Sequence, residues 1–174
     1  MEVGARIAPG SSLLAIRGPV LEEGKPRFFR RIAKGEFDLA DLDFRIKQLD
    51  RFLDWAKAEY GIGSPVAFGF SNGANVTWAL MLSCPEVLRG AILMRPMRAF
   101  QPEKIEKLRH VPVLVIAGKK DATVPPSRAD EVPSLLRSAG AEVQLAWVDA
   151  GHEFSAEDAE TSAAWLARLE HRPQ

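Results

Sequence analysis

A serine stands between two glycines at Gly69-Phe70-Ser71-Asn72-Gly73, where an apolar run of the sequence ends. The preceding residues 66–70 are apolar and partly aromatic, so they predict a buried strand, and residues 73–83 have the length and composition of a helix. Gly-x-Ser-x-Gly at a strand-to-helix junction is the nucleophile-elbow pattern, whose tight turn leaves the flanking positions almost no room for a side chain. A glycine-rich connection with a helix-capping serine fits the five residues equally well, because short motifs also match by chance.

An aspartate and a histidine after two later apolar runs decide between these interpretations. Asp121 follows the run 113–117, and His152 follows the run 143–148. In an open α/β sheet the functional groups lie beyond the carboxyl ends of the strands, so we expect both side chains at the same edge as Ser71. The order serine, aspartate, histidine is the order of the triad in α/β-hydrolases.

Each of these residue types suits one part of an acyl transfer. A serine hydroxyl is a weak nucleophile at neutral pH and needs a base in hydrogen-bond contact. An imidazole can take the serine proton and return it to the leaving group, and a carboxylate fixes the imidazole tautomer. We therefore expect Ser71 as the nucleophile, His152 as the base and Asp121 as the orienting acid.

Other histidines and carboxylates compete for these roles. His110 leads into a strand and His171 lies in the C-terminal tail, so His152 is the better candidate for the base. Asp149 and Glu153 are rival orienting acids. Both are too close to His152 in sequence to reach the far side of its ring comfortably.

The segments that would position these side chains alternate between predicted strands and predicted helices. Strands are expected at 12–17, 66–70, 91–94, 113–117 and 143–148. Helices are expected at 38–60, 73–83, 127–139 and 155–169, with Asp38 as the N-cap of the first and Ser155 and Asp158 capping the last. This alternation predicts one α/β domain over residues 1–174 with a mainly parallel sheet.

Composition argues against several classes of partner. Hydrophobic residues make up 47% of the 174 residues, and Lys+Arg and Asp+Glu balance at 23 each, so the net charge indicates neither nucleic acid nor an anionic membrane. The single cysteine, Cys84, excludes an intramolecular disulfide framework. We see neither a signal peptide nor a run of about 20 apolar residues. We therefore expect a cytoplasmic protein.

Four segments resemble the small carboxylesterase/phospholipase group of α/β-hydrolases, which is related to acyl-protein thioesterases. They are Gly-Phe-Ser-Asn-Gly-Ala at 69–74, Leu-Met-Arg-Pro-Met at 93–97, Ala-Gly-Lys-Lys-Asp-Ala-Thr-Val-Pro at 117–125 and Gly-His-Glu at 151–153. The resemblance implies a three-layer α/β-hydrolase sandwich that cleaves small carboxylic esters or thioesters through an acyl-enzyme, without metal or cofactor. It also implies that the backbone N–H of Asn72 forms half of the oxyanion hole.

The sequence departs from this family at its N-terminus. Family members carry a further strand and a His-Gly-x-Gly-type loop there, and a backbone N–H of that loop is the second oxyanion donor. No such motif occurs in this sequence, and a misassigned start codon, a truncation or a remodelled core would each explain that. The strand would lie between 12–17 and 66–70, so we expect these two to close up or to leave an edge that a homodimer could cover.

Five residues are expected near the substrate: Arg17, Phe29, Arg31, Met97 and Val124. Either Arg17 or Arg31 would favour an acidic substrate, although solvated loop arginines explain them equally well. Two other functions fit the sequence. A catalytically impaired relic would bind a ligand or a partner, because losing one oxyanion donor costs about 10²–10³ in rate. A dienelactone-hydrolase-like enzyme is the third, and the serine at position 71 argues against it because that branch uses cysteine there.

Overall fold

The computed structural model describes residues 2–33, 35–98, 100 and 107–171. The helices are α1 (Glu2–Ile7), α2 (Leu39–Tyr60), α3 (Asn72–Ser83), α4 (Glu131–Ser138) and α5 (Ala156–Glu170). The strands are β1 (Val20–Glu22), β2 (Lys25–Arg27), β3 (Arg31–Ala33), β4 (Glu36–Phe37), β5 (Val66–Phe70), β6 (Gly90–Met94), β7 (Pro112–Gly118) and β8 (Glu142–Val148). No helix within the described ranges is both long and apolar enough to cross a bilayer.

Strands β5 to β8 form one parallel sheet in the order β5-β6-β7-β8. Alternate residues of β6 enter two separate cores. Ala91 and Leu93 pack with residues of α2, α3 and α4, whereas Ile92 and Met94 pack with residues of α1 and α5. The sheet therefore has helices on both faces, which is the three-layer α/β-hydrolase architecture that the resemblance implies.

Caps that can be recognised in the sequence set the ends of two helices. The side chain of Asp38 accepts a hydrogen bond from the backbone N–H of Asp41 at the start of α2, and Gly61 ends that helix with φ 60°. Ser155 and Asp158 form a capping box at the start of α5. These side chains satisfy backbone donors that helix geometry leaves without partners, so both predicted helix starts are confirmed.

The strand predicted at 12–17 is wrong. These residues belong to neither a strand nor a helix, and Leu14 and Ile16 are 47% and 36% exposed. Their apolar character predicted a strand, but a strand also needs a neighbour, and no described strand pairs with them. The parallel sheet ends at β5 instead, where Phe68 is 40% exposed.

Two antiparallel hairpins, β1-β2 and β3-β4, occupy the chain between the 12–17 segment and α2. No sequence pattern predicts them, since each strand has only two or three residues. A glycine at 18 lets the first hairpin close against the preceding chain, because a Cβ there would lie 2.3 Å from the carbonyl oxygen of Arg27. The backbones of the chain before β1 and of the end of β2 are therefore in direct contact at Gly18.

The predicted homodimer would form through the outer edge of β5, and it stays a prediction. Its sequence, Val-Ala-Phe-Gly-Phe, contains none of the charged residues or prolines that usually protect a sheet edge. We expect light scattering to give a mass above that of the monomer, rising with protein concentration, and Phe68→Lys to lower it. A monomer mass at every concentration would contradict this prediction.

Candidate active site

Ser71 lies in the turn between β5 and α3 with a strained backbone. Its φ of 50° and ψ of −111° belong to a region that residues with a side chain rarely adopt. Its N–H donates to the carbonyl oxygen of Met94 at 2.9 Å, and its own carbonyl accepts the N–H of Asn75 at 2.9 Å. Strain of this kind at a strand-to-helix turn is the geometry of a nucleophile elbow.

The two glycines that flank the turn differ in how much space they have. A Cβ on Gly69 would lie 2.6 Å from the carbonyl oxygen of Gly73 and 2.7 Å from the nitrogen of Ala74, so this position excludes every side chain. A Cβ on Gly73 would meet only a ring carbon of Phe28, at 3.7 Å, which is an ordinary van der Waals distance. The expected lack of space on both sides of Ser71 is therefore correct for Gly69 and wrong for Gly73.

The structure brings Ser71, His152 and Asp121 together in one hydrogen-bonded row. His152 Nε2 lies 3.0 Å from Ser71 Oγ, and His152 Nδ1 lies 2.8 Å from Asp121 Oδ2. Asp121 Oδ1 accepts the backbone N–H of Thr123 at 2.7 Å and that of Val124 at 2.8 Å. A carboxylate that is only 2% exposed thus faces the imidazole. Both distances along the row are hydrogen-bond distances, and that between His152 and Ser71 is within reach for proton transfer.

The loops that carry Asp121 and His152 touch each other at a glycine. A Cβ on Gly118 would lie 2.5 Å from the carbonyl oxygen of Gly151 and 2.6 Å from that of Ala150, so the two backbones are in direct contact. On another side of the histidine, the ring of Phe70 packs against the imidazole with centroids 5.5 Å apart. These contacts restrict where the imidazole can lie.

The two rival acids of the sequence are engaged elsewhere. Asp149 pairs with Lys120 at 2.8 Å, and this hydrogen bond lowers the pKa of Asp149. Hydrogen bonds from the backbone N–H groups of Glu153 and Gly151 lower the pKa of Glu153. Asp121 is therefore the acid that lies against the imidazole. Across the described ranges, no group of three or more His, Cys, Asp and Glu side chains could hold a metal ion.

Asn72 offers a backbone group and a side-chain group beside the serine. It is the first residue of α3, so its backbone N–H has no acceptor within the helix and is available to a bound oxygen atom. Its side-chain Oδ1 accepts the backbone N–H of Phe28 at 2.7 Å. The residue after the serine thus anchors the chain between β2 and β3, a contact over 44 positions that no local sequence pattern indicates.

Two of the residues expected near the substrate have other partners. Phe29 is completely buried and packs edge-on against Phe37 with ring centroids 4.8 Å apart. It is a core residue, and its assignment to the substrate pocket is wrong. Arg31 donates to Glu22 through Nε at 2.9 Å, which raises the pKa of the Arg31 guanidinium and lowers that of the Glu22 carboxyl. The charge of Arg31 is therefore already paired.

The other three expected contacts have different surroundings. Val124 is 7% exposed, and its N–H is bound to the carboxylate of Asp121. Met97 follows β6, and its N–H donates to Asn75 Oδ1 at 2.8 Å, which ties this segment to α3. Arg17 is exposed. Substrate contact by these three residues stays a prediction.

Arg95 is a residue of this edge that the sequence reasoning missed. It directly follows β6, as Ser71 directly follows β5, so a check of the residue after each strand could have found it. Its side chain is 1% exposed, and it pairs with Asp158 through two hydrogen bonds of 2.7 Å and 3.0 Å. It also has a φ of 52°, which is rare for a residue with a side chain.

Comparison with known proteins identifies the family. The model of the Dienelactone hydrolase family matches residues 42–171. The chain is 36% identical over 167 residues to a Bacillus subtilis (strain 168) protein described as "Putative hydrolase MhqD", covering 95% of this chain and 84% of that protein. The crystal structure of the Bacillus cereus carboxylesterase matches with a TM-score of 0.91 and 36% identity, over 97% of this chain and 80% of that one. A carboxylesterase from Mesorhizobium loti matches with a TM-score of 0.89 and 32% identity, over 95% and 80%.

These matches confirm the resemblance to carboxylesterase-like α/β-hydrolases and change one interpretation. The serine at position 71 argues against a dienelactone-hydrolase-like protein on sequence grounds, yet the model of that family covers the serine and both partner residues. The residue type at this one position therefore does not separate the chain from the family. The chain belongs to the dienelactone hydrolase family, as a hydrolase whose structural neighbours include carboxylesterases.

Proposed function

We propose that this protein hydrolyses small carboxylic esters through an acyl-enzyme on Ser71, with thioesters as a second class of substrate. The observation that carries the proposal is the position of His152, whose two ring nitrogens lie 3.0 Å from Ser71 Oγ and 2.8 Å from Asp121 Oδ2. The strained backbone of Ser71 supports the same role, because strain of this kind clusters at functional sites. The carboxylesterases among the structural neighbours support ester hydrolysis.

The reaction would begin with attack of Ser71 Oγ on the ester carbonyl carbon while His152 Nε2 takes the hydroxyl proton. The carbonyl oxygen becomes an oxyanion that accepts a hydrogen bond from the N–H of Asn72. As the tetrahedral intermediate collapses, the imidazolium returns its proton to the leaving alkoxide, and the acyl group stays on Ser71. Water then attacks the acyl-enzyme with His152 again as base, which releases the acid and regenerates the serine.

Asp121 would act on the imidazole rather than on the substrate. Its Oδ2 accepts the hydrogen bond of Nδ1–H, which fixes the tautomer that leaves Nε2 free to take the serine proton. Because the carboxylate is 2% exposed, its attraction to the imidazolium is screened less than it would be in water. The backbone donors of Thr123 and Val124 hold the other oxygen and prevent the carboxylate from turning away.

A fluorophosphonate probe tests the proposal, because it reacts only with a serine whose hydroxyl is activated. We expect one covalent adduct per chain, located on Ser71 by mass spectrometry of the digested protein. Ser71→Ala should abolish the adduct, whereas the exposed Ser127 offers a matched control in Ser127→Ala, which should retain it. A folded protein without the adduct, or with the adduct on another residue, would sink the proposal.

A catalytically impaired member of the family that binds a ligand is the second candidate. The observation in its favour is the outer edge of β5, which pairs with no other strand among the described residues and is open to a ligand or a partner. Turnover of p-nitrophenyl butyrate separates the two candidates. Continued product release beyond one equivalent per chain supports the hydrolase. A folded chain with neither turnover nor a probe adduct supports the binding module.

A further inference from the structure

We infer that Arg95 is a positioning residue that holds the loop of His152 in the place that catalysis requires, with Asp158 as its counter-ion. The inference rests on the proposed function of Ser71, Asp121 and His152. Arg95 would act on catalysis through the backbone of the His152 loop and not through contact with the substrate. The buried ion pair of Arg95 and Asp158 takes no part in the reaction steps described above.

One guanidinium group binds the backbone on both sides of His152. Arg95 Nε donates to the carbonyl oxygen of Gly151 at 2.9 Å, and Arg95 Nη2 donates to that of Glu153 at 3.3 Å. These two carbonyl groups belong to the residues directly before and after the histidine. The planar guanidinium presents its donors in a fixed fork, so the spacing of its nitrogens limits the positions that the two carbonyls can take.

The same side chain also connects this loop to the strand that leads to Asp121. The backbone N–H of Arg95 donates to the carbonyl oxygen of Ile116 in β7 at 2.9 Å, and Arg95 Nη1 approaches the same oxygen at 3.4 Å. Arg95 Nε lies 3.9 Å from Asp121 Oδ2, the oxygen that faces the imidazole. Arg95 therefore contacts both of the segments whose relative position sets the distance between His152 and Asp121.

Asp158 fixes the guanidinium from the side of α5. Besides its two bonds to Arg95, its Oδ2 accepts the backbone N–H of Ser155 at 2.8 Å and the Ser155 hydroxyl at 2.7 Å. Arg95 and Asp158 are 1% and 0% exposed, so water cannot solvate either charge if its partner is removed. The carboxylate thus joins the start of α5 to the arginine that holds the preceding loop.

Energetics favours a role beyond stability for this pair. A buried ion pair adds little stability compared with apolar side chains of the same volume, because both charges lose their hydration. Arg95 also has a φ of 52°, and strained backbone persists where the surrounding structure requires that conformation. In contrast, catalysis depends steeply on position, since a misplacement of about 1 Å can cost roughly 10²-fold in rate. The two hydrogen bonds from Arg95 to the carbonyl oxygens of Gly151 and Glu153 would hold His152 at the position that catalysis requires.

The test removes the fork without leaving a lone buried charge. The double variant Arg95→Met/Asp158→Asn replaces both charged groups by neutral ones, and residue 158 keeps an oxygen for Ser155. We expect kcat for p-nitrophenyl butyrate and the rate of fluorophosphonate labelling to fall together by about 10²-fold, with KM within about twofold of the wild-type value. Arg95→Lys keeps the charge but not the fork, so it should recover only part of kcat.

A matched control uses an exposed ion pair, which joins Arg137 in α4 to Asp130 directly before that helix. Arg137→Met/Asp130→Asn makes the same change of charge at α4, which packs in the other core from α5, and it should leave kcat unchanged. Hydrogen exchange of residues 149–154 gives a readout that needs no turnover, and we expect faster exchange there in Arg95→Met/Asp158→Asn than in the control.

The outcomes separate this inference from the proposed function. If the wild-type protein turns over ester and the folded Arg95→Met/Asp158→Asn protein keeps full kcat, the positioning role is overturned and the proposed function stands. If the double variant only unfolds more easily, with kcat per folded molecule unchanged, the pair is structural and the inference is likewise overturned. If the wild-type protein neither reacts with the fluorophosphonate nor turns over ester, the proposed function fails. Hydrogen exchange tests the inference even then, because unchanged exchange of residues 149–154 in Arg95→Met/Asp158→Asn would overturn it.

Discussion

His152→Ala is expected to lower kcat/KM for p-nitrophenyl butyrate by about 10⁴- to 10⁶-fold in a protein that remains folded. The imidazole lies between the Ser71 hydroxyl and the Asp121 carboxylate, at 3.0 Å and 2.8 Å. Without it, the hydroxyl has no base and the leaving group has no acid. Because the three residues act as a unit, the double variant Ser71→Ala/His152→Ala should lose little more activity than either single variant.

A second histidine provides the control for this measurement. The side chain of His110 is 84% exposed and lies 3.5 Å from Glu142, so His110→Ala removes an imidazole without touching the row of Ser71, His152 and Asp121. It should keep wild-type kcat/KM. Equal activity in His152→Ala and His110→Ala would show that hydrolysis does not use the imidazole at 152.

The acid has a matched control as well. Asp121→Asn should cost about 10⁴-fold in kcat, because an amide favours the tautomer that cannot accept the serine proton. Asp149→Asn removes a carboxylate close to His152 in sequence that pairs with Lys120 instead, and it should keep most of the activity. A larger loss in Asp149→Asn than in Asp121→Asn would reverse the assignment of the orienting acid.

The second large effect is expected at the elbow, where Gly69→Ala should impair folding and chemistry together. The added Cβ would lie 2.6 Å and 2.7 Å from backbone atoms of Gly73 and Ala74, so β5 and α3 must separate. Overpacking of this kind costs about 1–3 kcal/mol of unfolding free energy. Because Ser71 lies within the same turn, its Oγ moves relative to the imidazole, and we expect a loss of about 10²-fold in kcat.

Gly73→Ala is the matched substitution four residues along the chain. Its Cβ would meet one ring carbon of Phe28 at 3.7 Å, and alanine is favoured over glycine in a helix by roughly 0.5–1 kcal/mol. We expect stability equal to or above that of the wild-type protein and kcat within a fewfold of it. Urea unfolding and steady-state kinetics of the two variants make the comparison. Similar losses of stability and kcat in both variants would contradict this prediction, because they would mean that the turn needs glycine at position 73 as well as at position 69.

The parts of the fold and site that the sequence predicts are those fixed by local rules. The Asp38 cap, the Ser155 capping box and the apolar runs of β5 to β8 follow from residue types within a few positions. Ser71, Asp121 and His152 can be predicted to lie together because parallel strands bring their carboxyl ends to one edge of the sheet. Each of these residues directly follows a parallel strand or lies in the loop after one, so residues distant in sequence can be predicted to be neighbours in space.

The parts that sequence reasoning missed depend on contacts between distant segments. The 12–17 run has the composition of a strand, but pairing also requires a partner strand. The two bonds from Arg95 to the backbone around His152 span 56 and 58 positions. Phe29 shares a segment with charged residues yet lies in the core, because Phe37 and its neighbours close over it. Neither composition nor spacing encodes such contacts.

Ser71 directly follows β5, which is the outermost strand of the parallel sheet among the described residues, so the nucleophile lies beside an edge that a further strand could join. A strand joined to β5 would run about 4.8 Å away and would exclude water from the side of the elbow on which it lies. The local dielectric and the supply of N–H donors around the reacting oxygen would then depend on that neighbour. If the predicted homodimer forms at this edge, the rate constant for hydrolysis would change with protein concentration and would belong to one state of association.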